Sequence, residues 1–160
     1  MTQHTDQQAT KEHPPVIRQA TPADYLDWLT LWRGYQSFYK TGIDEATTAA
    51  TWQRLQDDAE PMWCAVAEVA GKPVGIVHFL THRSTWTVGN YCYLQDLFVE
   101  PTVRAQGIGR ALIGYVYARA ADLDCSRVWW LTHETNTQAM RLYDQVADRS
   151  GFVQYRRLLG

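Results

Sequence analysis

The chain of 160 residues is long enough for one domain, and its apolar fraction of 46% is typical of a protein that buries a core. Its 15 basic side chains nearly balance the 17 acidic ones, which argues against a nucleic-acid binder with a basic face. No segment approaches the roughly 18 apolar residues of a membrane span, so we expect no membrane partner. Three scattered cysteines favour a reducing, cytoplasmic location over a disulfide framework.

Residues Met1–Pro14 are polar and lack a hydrophobic period, so we expect a disordered tail before a folded domain over residues 15–160. Hydrophobic periodicity and turn residues then predict the elements that follow. In chain order these are a strand at Val16–Ala20, helices at Pro22–Tyr39 and Glu45–Asp57, strands at Met62–Val69, Pro73–His82 and Tyr91–Val99, a helix at Gly107–Ala121, a strand at Arg127–Leu131, a helix at Thr137–Arg149 and a strand at Phe152–Leu158. The order βααβββαβαβ predicts an α+β domain with a mixed sheet.

A short glycine-containing segment after the Tyr91–Val99 strand carries the clearest functional signal. It runs Arg104-Ala-Gln-Gly107-Ile-Gly109-Arg110 and opens a predicted helix. Free backbone N–H groups and the helix dipole make such a place an anion site, and the two arginines add positive charge. The pattern fits neither GxxxxGK[ST] nor GxGxxG. It predicts pyrophosphate binding, with a simple tight turn between strand and helix as the alternative.

A second segment lies further along the chain, where Asn136-Thr-Gln-Ala-Met-Arg-Leu-Tyr143 precedes Gly151-Phe152. Together with Arg-x-x-Gly-x-Gly, in this order, it resembles the GCN5-related N-acetyltransferase (GNAT) superfamily. Tyr93–Val99 (YLQDLFV) is similar to the Tyr-Leu-Glu-Asp strand of the diamine-acetyltransferase branch, and the aromatic residues from Tyr35 to Tyr39 are similar to those of the yeast histone/polyamine-type enzymes. The resemblance implies a mostly antiparallel sheet in which two parallel strands splay apart, flanked by helices.

The resemblance also implies a set of site residues. Acetyl-CoA as the acetyl donor would be held by the end of the splayed strand, the glycine loop and the later helix, with Tyr143 protonating the leaving thiolate. The implied cofactor contacts are Leu97, Phe98, Val99, Arg104, Ala105, Gln106, Gly107, Ile108, Gly109, Arg110, Asn136 and Tyr143. The implied acceptor-binding residues are Tyr35, Tyr39, Gln95 and His133. A homodimer is also implied, since the family is commonly dimeric.

The general base is the point at which the chain departs from the diamine branch, because Gln95 stands where that branch has a glutamate. An amide is no base, so Asp96 becomes the candidate, with a buried structural acceptor as the alternative. His78 alternates within an apolar strand and is expected to be a core histidine. His133-Glu134 begins like a zinc motif, but Thr137 stands at the second ligand position, so we expect no metal.

An excess of acidic side chains between Asp44 and Glu60 would favour a cationic amine if that segment borders the acceptor site. The alternative is an ordinary solvated helix face. The sequence as a whole predicts an acetyl-CoA-dependent N-acetyltransferase that acts directly on a primary amine of a small molecule, polyamine or amino acid. A protein lysine or N-terminal acetyltransferase and a catalytically silent CoA-binding module are the alternatives.

Overall fold

The computed structural model describes residues 13–160, so the predicted tail at Met1–Pro14 lies, except for its last two residues, outside the described chain. The chain divides into two compact units, one ending at Trp130 and one beginning at Leu131. The strands are β1 (Val16–Gln19), β2 (Met62–Val69), β3 (Lys72–His82), β4 (Tyr91–Val99) and β5 (Arg127–Trp129). The helices are α1 (Tyr25–Phe38), α2 (Glu45–Leu55), α3 (Ile108–Asp122) and α4 (Thr137–Val146). No helix of residues 13–160 is long and apolar enough to cross a membrane.

The first unit is built on a five-stranded sheet in the order β1-β2-β3-β4-β5. The first four strands pair antiparallel to their neighbours, and β4 pairs parallel to β5. This arrangement confirms the predicted α+β fold with its mixed, mostly antiparallel sheet. The parallel pair requires a crossover, which α3 supplies between β4 and β5.

The start of α1 is set by polar side chains. The backbone N–H and the hydroxyl of Thr21 both donate to the Asp24 carboxylate, at 2.7 and 3.1 Å, as expected for a residue that precedes a helix. Residues Pro22–Asp24 form a 3₁₀ turn, and the α-helix proper starts at Tyr25, which is later than predicted. A tight first turn of this kind satisfies N–H groups that an α-helix leaves open at its start.

Helices cover both faces of the sheet. Trp28 of α1 reaches His78 of β3 on one face, whereas a Cβ atom at Gly75 would lie 3.2 Å from the Leu112 side chain of α3 on the other. Residues an odd number apart along a strand point to opposite faces, which agrees with this assignment. The core on the α1 side consists of Ala20, Trp28, Leu31, Trp32, Leu55, Cys64, Val66, Ile76 and Phe98.

The second unit differs from its prediction. The helix predicted over Thr137–Arg149 ends at Val146. The strand predicted over Phe152–Leu158 is wrong, since residues 147–160 have no regular structure. A strand exists only where a neighbouring strand accepts its hydrogen bonds. The ladders of the described chain pair β1 to β5 and include no residue of this segment.

Candidate active site

A bulge in β4 decides which face of the sheet Asp96 occupies. His78 pairs with Asp96, but the next residue of β3, Phe79, pairs with Leu94, so Gln95 is the extra residue. Neighbouring residues of β3 point to opposite faces, and Asp96 therefore lies on the face of His78, with Leu94 on the other face. A regular strand would have placed Asp96 and Leu94 together. The bulge brings the Asp96 carboxylate to the α1 side and leaves Gln95 exposed.

Asp96 is buried and belongs to a hydrogen-bonded chain. Its side chain is 10% exposed, and its Oδ2 lies 3.0 Å from Nδ1 of His78. The Nε2 atom of His78 accepts a hydrogen bond from the indole N–H of Trp28 at 2.8 Å. An indole nitrogen is only a donor, so Nε2 carries no proton and the imidazole proton lies on Nδ1. The chain therefore runs in one direction, from Trp28 through a neutral His78 to Asp96.

Two tyrosines lie beside the same carboxylate. Burial raises the pKa of Tyr35, and Asp96 raises it further by its charge and by accepting a hydrogen bond from the phenol. Burial and the charge of Asp96 also raise the pKa of Tyr93. Both phenols are thus protonated at neutral pH and available as donors. The ring of Tyr39 lies 4.7 Å from that of Tyr35, so the predicted acceptor residues Tyr35 and Tyr39 are neighbours.

The pairing between β4 and β5 is short. It begins at Tyr91 with Arg127 and ends at Tyr93 with Trp129, although β4 continues to Val99. Among the described residues 13–160, the second half of β4 therefore has no ladder partner on its β5 side, as the splayed arrangement requires. Backbone N–H and C=O groups without a ladder partner are suited to bind the amides of an extended ligand such as pantetheine.

Side chains in this half of β4 have structural roles of their own. Phe98 is 7% exposed and packs into the α1 core, where a Cβ atom at Gly34 would lie 2.8 Å from its ring. Gly34 is thus required for α1 to approach β4 this closely. Contact of Phe98 with the cofactor stays a prediction, and the packing of its side chain leaves the backbone as the part that would make it.

The loop before α3 has the backbone of an anion site. Gly107 precedes the first residue of α3 in a left-handed conformation (φ 81°), and Ala105 is also left-handed (φ 61°). A Cβ atom at Gly107 would meet no atom of residues 13–160 within 4 Å, so the described part of the chain leaves space beside this residue. Ile108 is buried and anchors the helix start in the core. The open glycine at the N-terminus of a 15-residue helix fits a phosphate group.

Arg104 is engaged within the first unit. Its Nε donates to the carbonyl oxygen of Val99 at 2.8 Å, and its guanidinium lies 5.3 Å from the ring centres of both Phe38 and Phe98. Arg104 thus ties the end of β4 to the C-terminal end of α1. Arg110 is exposed on the first turn of α3. Phosphate binding by these two arginines stays a prediction.

The remaining predicted residues lie in the second unit. Nδ1 of His133 lies 2.7 Å from the Thr135 hydroxyl, and the Asn136 side chain donates to Thr132 at 3.2 Å. Tyr143 lies within α4. Their roles toward acetyl-CoA and the acceptor stay predictions. Among residues 13–160, no group of three or more His, Cys, Asp or Glu side chains could hold a metal ion.

His78 and Trp28 are the residues that the sequence did not assign to the site. The sequence predicted His78 as a core histidine, and it is indeed buried, but its bond to Asp96 joins it to the candidate site. The available signal was a polar residue at an inward position of an apolar strand. The bulge that pairs His78 with Asp96 could not be seen in the sequence pattern, because more and less buried residues alternate along the whole of β4 without interruption.

Comparison with known proteins agrees with this geometry. The model of the acetyltransferase (GNAT) family matches residues 26–147. The chain is 35% identical over 144 residues to the D-amino-acid N-acetyltransferase HPA3 of Saccharomyces cerevisiae, covering 89% of each protein. It is 36% identical over 138 residues to the thialysine N-epsilon-acetyltransferase of Bos taurus, covering 80% of each. The structure of aminoglycoside N-acetyltransferase AAC(6')-Iy in complex with CoA shares the fold, with a TM-score of 0.76, 19% identity and coverage of 91% of this chain and 95% of that one. The chain therefore belongs to the GNAT family of N-acetyltransferases.

Proposed function

We propose that this enzyme transfers an acetyl group from acetyl-CoA directly to a primary amine of a small molecule. The observation that carries the proposal is the buried Asp96 carboxylate on the α1 side of the strand that splays from β5. An alkyl ammonium has a pKa near 10 and must lose a proton before it can attack a carbonyl carbon. Asp96 belongs to the strand whose β5-side edge we assign to the acetyl donor, and its carboxylate is our candidate for the group that accepts this proton.

The chemistry divides among residues of the chain. Acetyl-CoA supplies the thioester, and we assign its pyrophosphate to the loop at Arg104–Arg110 and its pantetheine arm to the free edge of Leu97–Val99. Asp96 takes a proton from the acceptor ammonium, and the neutral nitrogen attacks the thioester carbon to form the C–N bond and a tetrahedral oxyanion. The C–S bond then breaks, and the nitrogen loses a second proton as the amide forms, which replaces the proton that Tyr143 gives up. A backbone N–H of β4 donates to the oxyanion, and Tyr143 gives its proton to the leaving sulfur. Burial raises the pKa of Cys64 and Cys125 and raises that of Cys92 to about 12, so none of the three thiols is favoured as the thiolate that a covalent route would need.

Small cationic amines are the favoured acceptors. The names of the relatives indicate D-amino acids and thialysine as acceptors of those proteins. Acidic side chains at both ends of α2, including Asp44 and Asp57, support a positive acceptor through their field. The half-buried side chains of Tyr35 and Tyr93 lie beside Asp96, whose charge raises the pKa of both phenols, so they border the carboxylate that would meet a cation.

Thiol release from acetyl-CoA tests the function directly. The panel would contain spermidine, 1,4-diaminobutane, thialysine, a D-amino acid and a lysine peptide, with product confirmed by mass spectrometry. We expect turnover with a small cationic amine above the rate without acceptor. Transfer to the lysine peptide alone would indicate a protein acetyltransferase. CoA binding without transfer to any amine would indicate a silent binding module.

Substitution of Gly107 tests the cofactor loop. Gly107→Val should abolish measurable CoA binding in calorimetric titration, because a β-branched residue resists φ 81° and its side chain would fill the open space. Gly114→Ala is the matched control in α3, since a Cβ atom there also meets nothing within 4 Å. CoA affinity equal to wild type in a folded Gly107→Val protein would remove the loop from the site.

Substitution of Tyr143 tests the proton donor. Tyr143→Phe keeps the ring and removes the hydroxyl, so kcat should fall about 10²–10⁴-fold if thiolate protonation limits the rate. The affinity for acetyl-CoA should change little, because the interaction forms in the transition state. A kcat within threefold of wild type would assign the proton to another group.

We also propose a cytoplasmic homodimer. The three cysteines are free, which supports a reducing compartment. Within the second unit, the segment after α4 exposes a series of large apolar side chains that a second copy could cover. These are Phe152, Val153, Tyr155, Leu158 and Leu159. Light scattering after size exclusion would give the mass of a dimer, and a monomer at all concentrations would contradict the proposal.

A further inference from the structure

Two histidines of β3 each accept an indole N–H at Nε2, but they differ at the other nitrogen. Trp28 donates to His78 at 2.8 Å, and Trp129 donates to His82 at 3.0 Å. Nδ1 of His78 faces the Asp96 carboxylate at 3.0 Å, whereas Nδ1 of His82 faces the carbonyl oxygen of Arg83 at 2.8 Å. The first contact thus ends on a charge and the second on neutral backbone.

The hydrogen bond from Trp28 determines which nitrogen of His78 carries the proton beside Asp96. An imidazolium carries protons on both nitrogens. The indole N–H of Trp28 donates to the lone pair of Nε2, so this lone pair is not available to bind a second proton. His78 therefore cannot become a cation beside Asp96 without losing its bond to Trp28, which is 0% exposed. The neighbouring phenols of Tyr35 and Tyr93 are neutral as well. The partners that the structure gives Asp96 among residues 13–160 orient its carboxylate without neutralising it.

We propose that His78, locked by Trp28, is a positioning residue that holds Asp96 as an anion aimed at the acceptor site, and that this anion selects cationic amines. The inference rests on the proposed acetyl transfer and deepens it. The carboxylate accepts from His78 at Oδ2 and from the Tyr35 phenol, and an oxygen lone pair that these two donors leave open receives the ammonium. One N–H bond of the ammonium breaks as an O–H bond forms on the carboxylate, and the electron pair stays on the nitrogen for the attack on the thioester.

The tautomer of His78 is the first test, and it needs no activity. Long-range ¹H–¹⁵N correlation on the free wild-type protein at pH 7.5 should show a protonated Nδ1 and a bare Nε2, assigned by loss of the signals in His78→Asn. A protonated Nε2, whether in the other tautomer or in an imidazolium, would overturn the proposal. His82 provides an internal reference, since its contacts predict the same tautomer.

Kinetics with the best amine of the panel is the second test. His78→Leu should lower kcat/KM for the amine roughly 10–100-fold while KM for acetyl-CoA stays within threefold, because a hydrogen bond to a charged group is lost at the acceptor side. His78→Asn should recover most of the loss, since its amide can donate to Asp96. His82→Asn is the matched control on the same strand and should stay within threefold of wild type. Equal loss in His78→Asn and His78→Leu, or an unchanged kcat/KM in both, would overturn the proposal.

The two tests separate this inference from the proposed function. Absence of transfer by the wild-type enzyme to every amine would reject the function, and the tautomer would still report on the locked histidine. Normal transfer with an insensitive His78 would reject the positioning role alone. Circular dichroism and thermal unfolding of each variant would establish that the compared proteins are folded at the assay temperature.

Discussion

Two buried carboxylates near α1 are partnered in opposite ways. Asp24, just before the helix, is 5% exposed, and its carboxylate accepts hydrogen bonds from both terminal nitrogens of the Arg18 guanidinium, at 2.7 and 2.8 Å. Asp96, which lies under the helix, is 8% exposed as a whole residue, and its carboxylate accepts a hydrogen bond from the neutral imidazole of His78. Arg18 also bonds Glu68 of β2, so the first carboxylate is part of a network that joins β1, β2 and the start of α1.

The comparison shows how the partner of a buried charge indicates its role. Burial of an ion costs free energy that a well-placed opposite charge offsets. Arg18 provides this for Asp24 and lowers the pKa of that carboxyl to about 2, so the pair holds structure together. A carboxylate that is oriented by neutral donors keeps its negative charge uncompensated, so it can attract a cationic ligand. Asp24 should therefore govern stability, and Asp96 should govern catalysis.

Removal of the cation should have the largest effect on stability. Arg18→Met would leave Asp24 and Glu68 without their partner, and we expect the free energy of unfolding to fall by about 2–3 kcal/mol in urea titration. Arg119→Met is the control, because the exposed pair of Arg119 with Asp122 at 3.4 Å is worth less than about 0.5 kcal/mol. Equal losses in the two variants would contradict the distinction between a buried and a surface pair.

Neutralisation of Asp24 should have a smaller, pH-dependent effect. Its folded-state pKa of about 2 lies below the ordinary value, so its contribution is present above about pH 4 and is lost as the pH falls toward 2. Asp24→Asn should lower the free energy of unfolding at pH 7 by about 1–2 kcal/mol, a figure reduced because the Arg18 side chain is 35% exposed. Urea titrations from pH 7 to pH 3 should show the gap to wild type narrowing. A gap that widens toward acid would reverse the assigned sign.

Local patterns predicted much of the fold because local physics determines it. Thr21 and Asp24 mark the start of α1 through hydrogen bonds between near neighbours, and β4 was predicted at its observed bounds of Tyr91–Val99. The Phe152–Leu158 strand was predicted wrongly, because its alternating pattern says nothing about whether a partner strand lies beside it.

The candidate site was only partly predictable for a related reason. Gly107 could be predicted as the turn residue before α3, because a glycine there can adopt a left-handed conformation, and its φ of 81° agrees; its binding role stays a prediction. The contact between His78 and Asp96 depends on a bulge that changes the facing of β4 halfway along. Helices cover both faces of β4, so the more buried residues lie on one face before Gln95 and on the other face after it. Burial therefore alternates regularly along the whole strand, and the pattern does not reveal the bulge. The directed bond from Trp28 is likewise a long-range contact that no local pattern contains.

The most direct test of the account is the pH dependence of kcat/KM for wild type and Asp96→Asn, measured from about pH 6 to 10 with the best amine. Asp96→Asn should lower kcat/KM about 10²-fold or more at pH 7.5, and its rate should climb toward the pKa of the amine, near 10, because only solvent then removes the proton. Gln95→Glu, a change on the exposed bulge, should leave activity similar or raise it. An unchanged curve at unchanged height in folded Asp96→Asn would contradict the claim that Asp96 is the base and leave it a structural acceptor.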